Sequence, residues 1–255
     1  MSLTDSSTEL SHGYMDQLRL PMLTIPSKQG VSIDLTSSLA ELIRTEFGED
    51  PTNFRQEVRE FNHLRESAVR PSRDNNGTSD IRRYYAQLCL LPTRFSATRS
   101  NMQVTFIWSD AFTEKESANI LLFSETSAIL FNLGALHSRL GSDLPDELRS
   151  ACTHFQCSAG AFYLLQTSLA FQIATANNQV DMSSEVVAFC KNLMLAQAQE
   201  CMVEKSLLER KRPSLVSKVA WEVSALYQKA IDLLDSQIGS QVAKKNKKLA
   251  EILTN

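Results

Sequence analysis

The chain of 255 residues is 43% hydrophobic and 22% charged, a composition typical of a soluble globular protein. Its length is sufficient for one large domain or two small ones with a substantial core. The formal net charge of -3 gives no reason to expect nucleic acid as a partner. No run of about 18 apolar residues is present, so the sequence predicts no helix that spans a membrane.

The amino-terminal segment and the cysteines indicate the cellular compartment. Residues 1–17 are polar and lack the basic start and apolar core of a signal peptide, so we expect a cytosolic protein. Residues 1–20, which are rich in Ser and Thr, are predicted to be disordered. The odd number of cysteines, scattered through apolar helical patterns, favours buried free thiols over disulfides. They are Cys89, Cys152, Cys157, Cys190 and Cys201.

The first predicted elements are extended. Residues 22–25 and 31–33 are short apolar segments separated by Pro26 and Gly30. Farther along, residues 102–108 alternate apolar and polar side chains, which is the best strand pattern in the sequence. These segments predict a small N-terminal β-sheet.

Three helices are predicted between these extended segments. Gly48 ends the first helix, and Asp50 followed by Pro51 begins the second, because Pro is tolerated in the first turn. The third helix covers residues 79–91. Residues 75–77, with the sequence Asn-Asn-Gly, are interpreted as a turn before it.

Everything after the strand is predicted to be helical, so the fold class is mainly α. Four helices of roughly 20 to 25 residues follow one another: residues 120–140, a helix opened by Pro145, residues 183–205 and a helix opened by Pro213. Short connections would make antiparallel hairpins stacked like a helical solenoid. No strict repeat is present, so the arrangement is solenoid-like rather than a repeat array.

The sequence offers little support for catalysis. The segment that begins at Cys157 is similar to the cysteine loop of tyrosine phosphatases, in which an Arg six positions after the Cys anchors phosphate. That position is Tyr163 here, and the flanking pattern predicts a helix instead of a loop. His137 and His154 are interpreted as helix residues with local hydrogen bonds, because no metal-ligand spacing includes them. We therefore expect a protein that is not an enzyme, with no cofactor and no metal, although nucleophile and base could still be brought together by folding.

The sequence instead favours a surface that binds a partner helix. Met202, Leu215 and Val219 are apolar candidates from two successive helices, and Arg149 supplies a positive charge nearby. Leu215 lies about 100° from the apolar stripe of its helix, which favours exposure. Burial in the core remains the alternative for Met202, and spacing alone favours it for Val219.

Five segments resemble the Bro1 domain family, a group of boomerang-shaped helical domains built from stacked hairpins. They are residues 83–88, 105–112, 128–136, 154–162 and 194–200, with the sequences RYYAQL, TFIWSDAF, AILFNLGAL, HFQCSAGAF and MLAQAQE. The resemblance places a Bro1-like domain with a solenoid or TPR-like core at residues 21–255. Three segments, CTHFQCSAGAF, NLGALHSRLG and QAQECMVEKSLL, look most like the Bro1 domain that a non-receptor tyrosine phosphatase carries apart from its phosphatase domain.

The resemblance also implies a function. Bro1 domains bind the C-terminal amphipathic helix of an ESCRT-III subunit, the charged multivesicular body protein of class four, in endosomal sorting and multivesicular body formation. The family's binding positions correspond here to Arg149, Met202, Leu215 and Val219, with Arg149 in place of a Lys. A cytoplasmic, endosome-associated adaptor is therefore expected. The alternative is a rhophilin-like scaffold in small-GTPase signalling.

The end of the chain departs from the family pattern. The family's domain continues through further helices beyond the position of Leu253, so the resemblance implies that its C-terminal part is lacking here. Residues 242–253 have the pattern of a basic amphipathic helix. Two interpretations of its lysines at 244–248 remain open, a solvated tail and peripheral association with the endosomal membrane.

Overall fold

The computed structural model describes residues 22–94, 104–168 and 179–234, together with Gly239 and Val242. The predicted disorder of residues 1–20 and the predicted basic helix from residue 243 onward lie outside these ranges. Within them the chain is mostly helical with one small antiparallel sheet, so the predicted fold class is confirmed. A continuous cluster of buried apolar side chains runs through the helices and the sheet.

Three helices form the first part of the fold. Helix α1 covers Thr36–Leu42 and continues as a π-helical turn at Ile43–Phe47. A 3-10 turn at Pro51–Phe54 leads into helix α2, which covers Arg55–Val69. Helix α3 covers Asn75–Arg94. Gly48 ends the π-helical turn in the left-handed conformation, with φ 65°, as the sequence predicted. The carboxylate of Asp50 accepts a hydrogen bond from the Thr52 N–H at 2.9 Å and caps the 3-10 turn.

The predicted turn at residues 75–77 is wrong, because α3 already begins at Asn75. The Asp74 carboxylate accepts a hydrogen bond from the Gly77 N–H at 3.0 Å and so satisfies a donor of the first turn. A Cβ atom at position 77 would lie 2.0 Å from the Ser72 carbonyl oxygen. Gly77 is therefore required by this close approach within the helix, and not by a turn.

The sheet consists of strands β1 at Phe106–Ser109 and β2 at Glu116–Asn119, which pair antiparallel. The predicted strand is confirmed at its C-terminal end, but the expectation that only helices follow it is wrong. Residues 22–25 and 31–33 are not strands either. An isolated bridge between Gly30 and Trp108 joins that segment to the sheet, and the Gln29 N–H donates to Ser109 Oγ at 3.0 Å. The sheet is therefore a hairpin in the middle of the chain.

Four long helices complete the described fold. They are α4 at Leu122–Ser142, α5 at Leu148–Thr167, α6 at Ser184–Leu208 and α7 at Pro213–Ile231. Each packs against the next in chain order, which confirms the predicted stack. Pro213 opens α7 as predicted, whereas α4 continues two residues beyond the predicted end at residue 140. Helix α5 ends at Thr167 and α6 begins at Ser184, and residues 169–178 between them lie outside the described ranges.

A buried carboxylate, that of Glu125, joins four elements of the fold. It accepts hydrogen bonds from Arg65 Nε at 2.9 Å, Tyr84 Oη at 3.1 Å and Trp108 Nε1 at 2.6 Å. All four side chains are buried. Helices α2, α3 and α4 and strand β1 are thereby fixed relative to one another.

A second buried network surrounds Asp181, just before α6. The Lys28 ammonium forms an ion pair with its carboxylate, and the Ala111 N–H donates to the same carboxylate at 2.6 Å. The Asp181 N–H in turn donates to Asp110 Oδ2 at 3.0 Å. The network connects the amino-terminal segment, the end of β1 and the start of α6.

Arg65→Met should destabilise the protein strongly, because it leaves the buried Glu125 carboxylate without its cation. Breaking such a pair costs about 3–5 kcal/mol in the free energy of unfolding. Arg59→Met, on the exposed side of the same helix, is the matched control and should change it by less than about 0.5 kcal/mol. Urea denaturation measures both. Equal midpoints for the two variants would show that the Glu125 network does not stabilise the fold.

Candidate partner-binding surface

The exposed face of α6 lies between its two neighbouring helices. Most of α6 is buried against α5 and α7, but Met202 is 42% exposed. Leu195 precedes it by seven residues, which is two helical turns, and is also exposed. The two side chains therefore form an apolar row along one face of α6.

Helix α7 brings Leu215 and Val219 to the same side. Leu215 is 47% exposed, and Val219 is half-buried. The Gln199 Nε2 donates to Glu222 Oε2 at 3.3 Å across the α6–α7 contact. Gln199 lies one turn before Met202, and Glu222 lies two turns after Leu215, so the bond locates both apolar residues on one side of the hairpin.

Helix α5 completes this side. Lys191 of α6 donates to Gln166 Oε1 at 2.9 Å and lies 6.0 Å from the centre of the Tyr163 ring, which is exposed. Arg149 lies two heptads before Tyr163 on α5, so it shares this face. Arg149 is exposed in the first turn of the helix.

The charge of Arg149 acts near the end of α6. A hydrogen bond from Lys211 lowers the pKa of the Glu209 carboxyl, and the positive charges of Lys205 and Arg149 lower it further. These groups make the Arg149 end of the surface rich in basic side chains.

The structure thus brings all four predicted residues to one side of the three-helix layer, which we call the α5–α7 surface. It consists of Arg149, Tyr163, Leu195, Met202, Leu215 and Val219. Sequence reasoning missed Tyr163 and Leu195. Tyr163 follows Arg149 by fourteen residues and Leu195 precedes Met202 by seven, so helical periodicity could have placed both on this surface.

The segment at Cys157, which is similar to a phosphatase loop, is part of a helix. Cys157 lies within α5, so the predicted helix is confirmed at this position. All five cysteines are free thiols, but only Cys152, Cys190 and Cys201 are buried, and the prediction of burial is wrong for the exposed Cys89.

Among residues 22–94, 104–168 and 179–234, no group of three or more His, Cys, Asp or Glu side chains is arranged to hold a metal ion. No helix in those ranges is long and apolar enough to cross a membrane.

His137 and His154 do not make the predicted local hydrogen bonds, because they contact each other between α4 and α5. Their Nδ1 atoms lie 3.0 Å apart, and Arg82 Nη2 of α3 lies 2.9 Å from His137 Nε2. Arg can only donate, so His137 Nε2 accepts and its Nδ1–H donates to His154. Burial, together with the positive charge of Arg82, lowers the pKa of His137 to about 4, and burial also lowers the pKa of His154. Both rings are therefore neutral near pH 7.

Stacked helices that expose an apolar face are typical of a protein-binding domain. The family model of the BRO1-like domain matches residues 22–254. The chain belongs to the BRO1-like domain family, as the five resembling segments indicated.

Several characterised proteins are similar to this chain. Tyrosine-protein phosphatase non-receptor type 23 of Mus musculus is 33% identical over 223 residues, which are 86% of this chain and 13% of the phosphatase. The vacuolar protein-sorting protein BRO1 of Gibberella zeae is 33% identical over 230 residues, 88% of this chain and 23% of that protein. Rhophilin-1 of Mus musculus is 33% identical over 207 residues, which are 80% of this chain and 31% of rhophilin-1. The chain thus spans less than a third of each of these relatives.

A solved structure with a similar fold is the "ALIX BRO1 CHMP4C complex". It superimposes with a TM-score of 0.76 at 25% identity and covers 89% of this chain and 69% of the ALIX chain. In members of this family the Bro1 domain is a non-catalytic binding domain, and the phosphatase region of the first relative lies outside the aligned part.

The neutral His137 should make the folded state sensitive to acid. Its pKa is about 4 when folded and 6.5 in its ordinary state, so between these values the unfolded chain binds more protons and stability falls as the pH is lowered. We expect this group to account for a loss of roughly 2 kcal/mol between pH 6.5 and 4.

Asp181 changes the stability in the opposite direction as the pH is lowered, because burial raises its pKa to about 6 and the folded chain then binds the proton more tightly than the unfolded chain. The contribution of His137 is therefore the difference in pH dependence between the unchanged chain and His137→Gln, measured by urea denaturation. The exposed His63→Gln is the control. Parallel pH curves for His137→Gln and the unchanged chain would contradict the assignment.

Proposed function

We propose that this chain is a non-enzymatic adaptor domain of endosomal sorting. Its α5–α7 surface would bind the C-terminal amphipathic helix of an ESCRT-III subunit, a charged multivesicular body protein of class four. The observation that carries the proposal is the exposure of Met202 and Leu215 together on one face of a fold similar to that of ALIX bound to CHMP4C. The same binding would recruit the protein from the cytoplasm to endosomes.

A helix is the partner structure that this surface suits. The surface is formed by helices α5, α6 and α7, whose backbone groups are already paired within each helix. It therefore offers no free strand edge to an extended peptide. A partner helix satisfies its own backbone and presents apolar side chains at spacings of three, four and seven residues.

The apolar row on α6 suggests how the partner would lie. Leu195 and Met202 are seven residues apart, a rise of about 10.5 Å along α6. A partner helix aligned with α6 would place two apolar side chains two turns apart over them. Leu215 and Val219 would enclose one side of this helix, and Tyr163 the other.

The basic side chains at one end of the α5–α7 surface would orient the partner helix. Arg149 is exposed beside Lys205 and Lys211, so this end favours acidic partner residues. A guanidinium can bind a carboxylate through two parallel N–H donors, which a Lys ammonium cannot do. Arg149 should therefore hold an acidic residue in a more defined orientation than Lys would.

A second candidate function is a scaffold in small-GTPase signalling, which the similarity to rhophilin-1 favours. The two candidates differ in the partner that the α5–α7 surface would select. Failure to bind the class-four helix, by a chain that unfolds cooperatively, would favour the rhophilin-like alternative.

Leu215→Asp should weaken binding of a synthetic class-four C-terminal helix by at least about thirtyfold. A carboxylate buried in the interface without a partner costs about 2 kcal/mol or more. The matched control is Trp221→Asp, because Trp221 is 76% exposed and lies about 120° from Leu215 around α7. Fluorescence anisotropy with a labelled peptide gives both dissociation constants.

Two outcomes would contradict the proposed site. One is unchanged binding by a Leu215→Asp protein whose circular-dichroism melt matches that of the original chain. The other is an equal loss for Trp221→Asp, which would mean that any charge on α7 is sufficient.

Arg149→Glu should weaken the same binding about three- to tenfold at low salt, because it replaces attraction to acidic partner residues by repulsion. The difference should shrink to less than about twofold at 1 M salt, where screening is short-ranged. Arg59→Glu, exposed on α2, changes the net charge equally and should have no effect. A similar loss in both variants would assign the effect to net charge and not to Arg149.

A further inference from the structure

A cleft lies among the first three helices, far along the chain from the α5–α7 surface. Its walls come from α1 and its π-helical turn, from α2 and from α3, and its volume is about 720 Å³. This is several times the roughly 150 Å³ cavity that accommodates one benzene molecule. The cleft therefore has room for several large side chains.

The floor of the cleft is apolar. Phe54, Phe61, Leu64 and Leu91 line it, and each is partly buried against the core. Phe47 stands at one wall with 50% of its surface exposed. Large apolar side chains that line a concave site can bury matching groups of a ligand.

The rim of the cleft is mainly acidic. Four carboxylates line it against two guanidinium groups: Glu49, Glu57, Glu60 and Asp80 against Arg83 and Arg94. Glu49, Glu57 and Glu60 are exposed to solvent. This excess of negative charge favours a cationic ligand.

The wall that carries Phe47 has an irregular backbone. Residues Ile43–Phe47 form a π-helical turn at the end of α1, and Ile43 and Phe47 both line the cleft. Turns of this kind are rare and occur frequently at functional sites. The irregular turn thus coincides with the exposed aromatic side chain, an observation independent of the cleft's volume and charge.

We propose that this cleft binds a basic amphipathic helix of a partner protein, with apolar side chains on the floor and Lys or Arg along the rim. A helix suits the site because most of the lining residues belong to α1, α2 and α3, whose backbone groups are paired within each helix. The α5–α7 surface, with Arg149 at its edge, favours acidic partners. The two surfaces therefore select helices of opposite charge, and this chain can bind two different partners at once.

The probe is a fluorescent fourteen-residue amphipathic helix made only of Leu and Lys, added to the full 255-residue chain. Saturable binding is expected, with at least tenfold weaker affinity in Phe47→Asp. The matched control is Leu90→Asp, because Leu90 is 54% exposed on α3 and does not line the cleft. It should stay within twofold of the original chain.

Charge is tested separately. Glu57→Lys should weaken binding of the Leu/Lys helix about three- to tenfold, whereas Glu116→Lys, an equal charge change on β2, should not. A Leu/Glu helix of the same pattern should not bind this site. Circular-dichroism melts establish that each variant is folded.

Three results would overturn the proposal: no saturable binding, equal affinities of Phe47→Asp and Leu90→Asp, or equal binding of the Leu/Glu helix at this site. The outcome is independent of the proposed function, because Phe47→Asp should leave the affinity for the class-four helix unchanged.

Discussion

The buried carboxylate of Asp181 is the constraint on which the arrangement of the long helices depends. It is paired with Lys28 from the amino-terminal segment and with the Ala111 N–H at the end of β1. Two residues later Ser183 accepts the Val186 N–H at 3.2 Å and caps α6. The start of α6 is thereby fixed to distant parts of the chain, and removal of Lys28 would leave a buried charge without compensation. Because α6 carries Leu195 and Met202, this polar cluster also anchors the helix that supplies the apolar row of the α5–α7 surface.

Local signals in the sequence predicted the helix ends that depend only on nearby residues. Gly48, Asp50 and Pro213 act through their own backbone or side chains, so they could be interpreted without the fold. Strand β2 was missed because its sequence, Glu-Ser-Ala-Asn, has low strand propensity and its pairing with β1 holds it in the sheet. The buried charges of Lys28, Arg65, Glu125 and Asp181 were also missed. A sequence presents each as an ordinary polar residue, and only the assembled helices supply its partner.

In the candidate sites too, the features that depend on nearby residues were predicted from the sequence, and those that depend on the packing of helices were not. Leu215 was expected to be exposed from its angle on the helix, and it is, because α7 buries only one side against α6. Tyr163 and Leu195 extend the surface only when α5 and α6 are packed side by side. The acidic cleft had no signal in the sequence, since its floor and rim come from three helices that are separate along the chain. Both proposed surfaces therefore depend on how the helices pack in the fold.

The most direct test of the α5–α7 surface is methyl NMR of the chain labelled at the methionine methyl groups. Met202 is exposed on that surface, whereas Met194 of the same helix is fully buried, and Met202→Leu assigns the signal. Titration with an unlabelled class-four C-terminal helix should shift the Met202 signal saturably and leave Met194 nearly unchanged. An unshifted Met202 signal at a peptide concentration that saturates binding would contradict the account.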